Sequence, residues 1–186
     1  MLAISDLQTG TYILWQGEPA QIIWREHTKL GRGGAILRTK IRGLLTGAIY
    51  DNAFKGNDSV EEAEISRRQA QYLYREGVTL HFMLQDDYDQ FKLSEKVVGD
   101  AAKFLKEGLT VDVLCYDRKP INVHLPIKVD LKVTYAEPAT RGNTAQGNVT
   151  KPVELETGAR INAPLFIKSG DIIRVNTQTG VYVERA

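Results

Sequence analysis

Residues 27–41 read HTKLGRGGAILRTKI, from His27 to Ile41, and the rest of the chain is organised around this stretch. An alternating run leads in (Gln21, Ile22, Ile23, Trp24, Arg25) and a second run, Ala35 to Leu44, leads out, the pattern of two antiparallel strands joined by a loop. The tip is Lys29-Leu30-Gly31-Arg32-Gly33-Gly34. Its glycines allow positive φ and leave no bulk beside the one long side chain, so Arg32 is expected to be held outward on a slim projection. From Arg25 to Arg42 the basic residues Arg25, Lys29, Arg32, Arg38, Lys40 and Arg42 stand against Glu26 alone, a local charge of +5 in a chain whose formal net charge is +1. Arginine presents a planar fork of donors that suits phosphate and stacks on bases, while its pKa is too high for it to accept a proton. The stretch therefore reads as an RNA-binding and positioning element, with Arg32 at its end and Arg25, Arg38, Lys40 and Arg42 as supporting contacts. Basic hairpins with glycine at the turn also occur as plain solvated edges, so the remaining residues have to decide.

The chain has 186 residues, 42% of them hydrophobic and 25% charged, the composition of an ordinary globular protein with enough apolar content for a core. That length suits one medium domain or two to three small ones, since β-barrels of about 55 to 70 residues fold alone but marginally. No apolar run approaches a bilayer span, and MLAISDLQTG at the start has no basic segment followed by an apolar core, so a cytoplasmic protein is expected. The single cysteine, Cys115, lies in an alternating apolar run with Val111 and Val113, where a buried structural thiol is expected.

Taken in order, the runs Tyr12 to Trp15, Ala20 to Arg25, Ala35 to Leu44 and Ala48 to Phe54 are punctuated by Gly10, Gly17-Glu18-Pro19 and Thr46-Gly47. They predict a first antiparallel barrel over residues 1–64, of which the hairpin is one long arm. The acidic run Glu61-Glu62-Ala63-Glu64 closes it as a solvated edge. Over residues 65–128 the strand runs are Ala70 to Tyr74, Thr79 to Leu84, Val111 to Tyr116 and Ile121 to Leu125, the last two flanking a turn at Asp117-Arg118-Lys119-Pro120. Between them Ser94 is a candidate N-cap, Val97, Val98, Ala101, Phe104 and Leu105 repeat at helical spacing, and Lys106 with Gly108 gives the stop. A five-strand barrel with one inserted helix is the OB pattern. Residues 129–186 repeat the pattern with Leu131 to Tyr135, Pro152 to Leu155, Ala159 to Ala163, Ile172 to Asn176 and Val181 to Glu184, and Glu137 to Thr150 reads as an exposed loop.

No catalytic constellation emerges. Gly31 and Gly33 begin a dinucleotide fingerprint, but Ile36 occupies the third glycine position and no helix follows. His27, His81 and His124 lie far apart without partners at ligand spacing, so surface or structural histidines are expected and no metal or cofactor is implied. Asp86-Asp87-Tyr88-Asp89 lacks the glycine and terminal glutamate of a calcium loop and reads as a solvated acidic turn. Tyr72, Tyr74 and Phe82, at strand alternation, suit either a core or a base-stacking platform.

The residues resemble those of bacterial elongation factor P along the whole chain. Lys29-Leu30-Gly31-Arg32-Gly33-Gly34-Ala35 is similar to the family's K-P-G-K-G-x-A loop, and Arg38-Thr39-Lys40 with Leu44-Leu45-Thr46-Gly47 is similar to the strand after it. Gln71-Tyr72-Leu73-Tyr74 and His81-Phe82-Met83 match in the middle of the chain. The most specific agreement is C-terminal: Lys151, Gly158, Pro164, Phe166, Gly170-Asp171, Arg174-Val175, Thr177, Gly180, Tyr182 and Arg185.

The resemblance implies a mainly β protein of three small barrels in an L-shaped, tRNA-like arrangement, an SH3-like or KOW-type barrel followed by two OB folds. It implies a monomeric, non-enzymatic translation factor that binds the ribosome, its rRNA and proteins, beside the peptidyl-tRNA. There the tip (Lys29, Gly31, Arg32, Gly33, Gly34) orients the CCA end at stalled proline runs. Many members carry a β-lysylated lysine where this chain has Arg32, a modification that needs an amine and is excluded here; others carry a rhamnosylated arginine, which makes Arg32 the candidate position for a tip-modifying enzyme. Gly142-Asn143-Thr144 resembles a G-D-T segment expected near the exit-site codon, with neutral Asn143 where aspartate is usual. Two other readings share these barrels: an elongation factor P-like paralogue, and a generic OB-fold binder of single-stranded nucleic acid, the latter disfavoured by the near-neutral net charge.

Overall fold

Alternation of apolar and polar residues with a period of two dominates the chain, and the computed structural model is accordingly built of short antiparallel strands. It describes residues 1–30, 34–56, 58–138 and 150–186, with backbone alone at 29, 30, 34 and 35.

The first sheet runs in the order β2-β3-β4-β5, with β2 at Tyr12–Trp15, β3 at Glu18–Leu30, β4 at Gly34–Gly43 and β5 at Ile49–Lys55. A short pair, β1 (Leu2–Ala3) with β6 (Ser59–Val60), and the bridge from Ile13 to Glu62 fold the ends of this unit onto the sheet. Leu7, Ile13, Ile22, Leu37 and Ile41 fill its core, and Trp15 meets Phe54 edge to face at 6.1 Å.

The second sheet contains β7 (Ser66–Glu76), β8 (Thr79–Leu84), β9 (Gln90–Ser94), β10 (Thr110–Tyr116) and β11 (Lys119–His124) in the order β11-β10-β7-β8-β9. The third contains β12 (Lys128–Ala136), β13 (Thr150–Leu155), β14 (Arg160–Pro164), β15 (Ile172–Asn176) and β16 (Tyr182–Arg185) in the order β14-β13-β12-β15-β16. Each sheet thus has its first strand at the centre, the second and third on one side, and the fourth and fifth on the other. The outermost strands meet, β9 with β11 and β14 with β16, curling each sheet toward a barrel.

Three expectations are refined. The helix is one α turn, α1 (Glu95–Val98), capped by the Ser94 hydroxyl, which accepts from the Lys96 amide at 3.3 Å; at Gly99 (φ +77°) it passes into a 3-10 turn over Gly99–Phe104. The strand β9 carries only Phe91 and Leu93 as its inward pair among polar residues, too short a run to read as a strand from the sequence. The turn before β11 needs only Asp117 and Arg118, both at positive φ (49° and 64°), the backbone of a two-residue hairpin loop without glycine. Pro120 is tolerated within β11 because that strand lies at the sheet edge.

The units are packed on one another. Leu44 of the first is buried with Leu114 and Ile121 of the second, and Tyr12, Ile65 and Tyr116 pack around them. Beside this cluster Gly47 (φ +70°) lies so close to α1 that a Cβ would stand 2.7 Å from the Lys96 carbonyl oxygen. Phe104, at the end of the 3-10 turn, inserts into the core of the third sheet beside Leu131 and Val175. Lys106 meets Glu156 at 3.0 Å, and the Thr177 hydroxyl donates to the Pro126 carbonyl at 2.7 Å.

Candidate nucleic-acid interface

The arm is built by unequal strand lengths. β2 pairs with β3 only from Glu18 to Gln21, and β5 leaves β4 at the Ile36–Lys55 rung, whereas the β3–β4 ladder continues to Lys29–Ala35 and Leu30–Gly34. Beyond Ile22, whose backbone bonds Gly10 and Thr11, the outer edge of β3 has no strand partner among the described residues as far as Leu30, about 26 Å at ~3.3 Å per residue. Pairing runs closer to the tip than the sequence suggests, so Leu30 and Gly34 are ladder residues and the connection is three residues, Gly31-Arg32-Gly33. Those three residues lie outside the described part of the structure, as do Gly142, Asn143 and Thr144, the other expected contact segment.

Register decides which basic residues share a face. In β4, Leu37, Thr39 and Ile41 are buried and Arg38, Lys40 and Arg42 point the other way. A bulge between Ile22 and Trp24 shifts the partner strand, so Trp24 faces outward opposite Lys40, Glu26 opposite Arg38, and Arg25 is opposite buried Thr39. Arg25 is thereby turned back to its own unit: its guanidinium donates to the Leu7 carbonyl at 2.9 Å and to Gln8 Oε1 at 3.4 Å. Arg42 is half-buried, its Nε lacks a hydrogen-bond partner, and it lines a cleft with Gln21, Asp100, Asp112, His124 and Gln178 where all three units meet. The basic residues of the hairpin therefore divide: Arg38 and Lys40 are outward and exposed, Arg25 bonds its own unit, and Arg42 is half-buried at the three-unit cleft.

The remaining candidates are placed by packing. Tyr72 and Phe82 are core, whereas Tyr74 is 47% exposed and stacked on His81 at 4.4 Å. His124 faces the three-unit cleft, and burial, helped by Arg67 and Arg42, holds its pKa below the usual imidazole range. Cys115 is buried, and burial raises its thiol pKa. The acidic turn has a partner that no local signal announces: Arg68 Nε donates to Asp86 Oδ2 at 2.8 Å and Arg68 Nη2 bonds Asp87, so Asp86 is held below the ordinary carboxylate range by this hydrogen bonding. Arg174 likewise bridges Asp130 and Glu184, each at 2.7 Å. Among the described residues no three His, Cys, Asp or Glu side chains gather as metal ligands, and no helix is long and apolar enough to cross a membrane.

Comparison with known proteins covers the chain from end to end. Three family models match in succession: the elongation factor P KOW-like domain over residues 3–60, the elongation factor P OB domain over 65–123, and elongation factor P, C-terminal, over 129–185. Elongation factor P of Thermotoga petrophila is 42% identical over 186 residues, and that of Pseudothermotoga lettingae 44% identical over 188, each alignment covering all of both chains. Among solved structures, eukaryotic translation initiation factor 5A from Methanococcus jannaschii superposes with a TM-score of 0.50 at 21% identity, covering 67% of this chain and 93% of that one, a likeness of fold. A chain that is mainly β, begins with a KOW-like unit, continues into OB-type sheets and aligns along its full length with such relatives belongs to the elongation factor P family of translation factors.

Proposed function

We propose that this factor binds the ribosome beside the peptidyl-tRNA and promotes peptide-bond formation at stalled proline runs by positioning the CCA end with the tip of the β3–β4 arm. The observation that carries the reading is the continued pairing of β3 with β4 past the end of the sheet, which leaves Gly31-Arg32-Gly33 as the whole connection and Arg32 as its only long side chain. A guanidinium there supplies charge and hydrogen-bond donors but no proton acceptor. Its contribution is orientation: holding a poor nucleophile and its donor in a reactive geometry removes the entropic part of the barrier, and the ribosome performs the chemistry.

In this reading the chain is three domains, residues 1–64, 65–128 and 129–186, in a bent, tRNA-like arrangement. It acts as a non-enzymatic monomer in the cytoplasm, and its partners are rRNA, ribosomal proteins and peptidyl-tRNA. Residues 142–144 sit near the exit-site codon, and Arg32 is the position a tip-modifying enzyme would use, by attachment to the guanidinium. Reconstituted translation of a proline-run message tests it. Arg32→Ala should lower the peptide yield at saturating factor about tenfold, the effect of losing ~1.4 kcal/mol of positioning, and leave a proline-free message unchanged. Equal yields from both proteins on the proline-run message would overturn the tip's role.

A further inference from the structure

Trp24 faces out because of one extra residue. Ala20 and Ile22 alternate into the first core, and the same alternation would send Trp24 after them. The bulge between Ile22 and Trp24 breaks the alternation, and Trp24 emerges on the opposite face, 43% exposed, on the rung it shares with Lys40. Bulges commonly re-aim a side chain, and this one moves a large aromatic from the core side to the basic side of the arm. The face it joins is furnished for a polyanion. Arg38 is one of its diagonal neighbours, Lys40 stands directly opposite, and Lys55 lies further along the same face. Glu26 and Asp51 share the rungs of Arg38 and Lys40, yet among the described residues neither cation closes to an ion-pair distance with any acid. An exposed indole beside cations that close no ion pair among the described residues is a combination that binds single-stranded nucleic acid, the ring taking the face of a base and the cations the flanking phosphates.

We propose that Trp24 is a base-stacking platform: an unpaired nucleotide of the RNA beside the arm stacks on its indole, with Arg38 and Lys40 on the neighbouring phosphates. The inference rests on the arm being the RNA-facing element, and adds to it a second contact about 20 Å from the tip along β3 at ~3.3 Å per residue. Trp24 contributes affinity, whereas Arg32 contributes orientation of the reacting end.

The test uses the full chain on ribosomes carrying peptidyl-tRNA stalled at prolines. Trp24→Ala should raise the factor concentration for half-maximal rescue by roughly 5- to 150-fold, the range for losing one stacked base. Trp24→Phe, which keeps a ring, should stay within about threefold, and the yield at saturation should match wild type in both. Trp24→Ala should leave the salt dependence of ribosome binding unchanged, while Lys40→Ala should reduce its slope by about one. A photoreactive benzoylphenylalanine in place of Trp24 should give a nuclease-sensitive adduct. A crosslink to protein, no crosslink, or equal half-maximal concentrations for wild type and Trp24→Ala would overturn the inference and leave the tip's role intact. An RNA crosslink at position 24 with a silent Arg32→Ala would do the reverse.

Discussion

The two ends of the β3–β4 hairpin share their strands and differ in everything packed against them. At the base, Ile22 and Ile41 are on one rung, both fully buried beneath the first sheet. Further out, His27 and Leu37 are also on one rung and on one face, yet Leu37 is 1% exposed beside Phe54 of β5 while His27 is exposed. Past Ile36 no third strand among the described residues accompanies the pair. Stability is therefore concentrated where the third strand flanks the pair, and the edge of β3 carries the exposed side chains. Such a division is expected where a rigid scaffold presents a recognition element.

Substitutions along the hairpin and its mounting sharpen this contrast. Leu37→Ala should cost the most, about 2–5 kcal/mol for a buried leucine with little room to collapse, measured by urea or thermal unfolding. A loss under ~1 kcal/mol would mean that the β4 side of this rung, flanked by β5, is no better supported than the open β3 side. Gly47→Ala tests how the arm is mounted. It places a Cβ against the Lys96 carbonyl and forces a side chain into a positive-φ conformation, so about 1–3 kcal/mol of strain is expected. Part of that strain should be relieved by the first unit moving off α1, visible as altered residual dipolar couplings between the first two units. Unchanged couplings and stability would show that the contact does not hold the units. His27→Ala, on the same rung as Leu37, should change stability by less than ~0.5 kcal/mol; a loss as large as that of Leu37→Ala would erase the distinction.

Much of the fold was legible because its determinants are local. Leu37, Thr39 and Ile41 alternate with Arg38, Lys40 and Arg42, and Ser94 before Glu95 announces the one helical turn. Four strands of the second sheet could be read from their apolar runs, but β9 could not: with Phe91 and Leu93 as its only apolar residues it is a strand because β8 offers a ladder, not because of its own pattern. At the candidate site, the sequence located the basic residues but not their sorting. Arg25 reads like Arg38 until the bulge turns it to the Leu7 carbonyl. Arg68 gives no sign of its bond to Asp86, eighteen positions away across the β7–β8 hairpin. Lys151 looks like a surface lysine and is instead 9% exposed, its ammonium donating to the Glu137 carbonyl.

By itself the sequence determined most of the strands and turns, the glycines flanking Arg32 and the family, since period, turn chemistry and residue identity are properties of neighbouring positions. Only the tertiary structure decided which cations face outward, that Trp24 stands among them, that Gly47 lies against α1, and that Phe104 enters the third core. Those outcomes depend on strand register and on surfaces distant in sequence, where one inserted residue reverses every side chain that follows it.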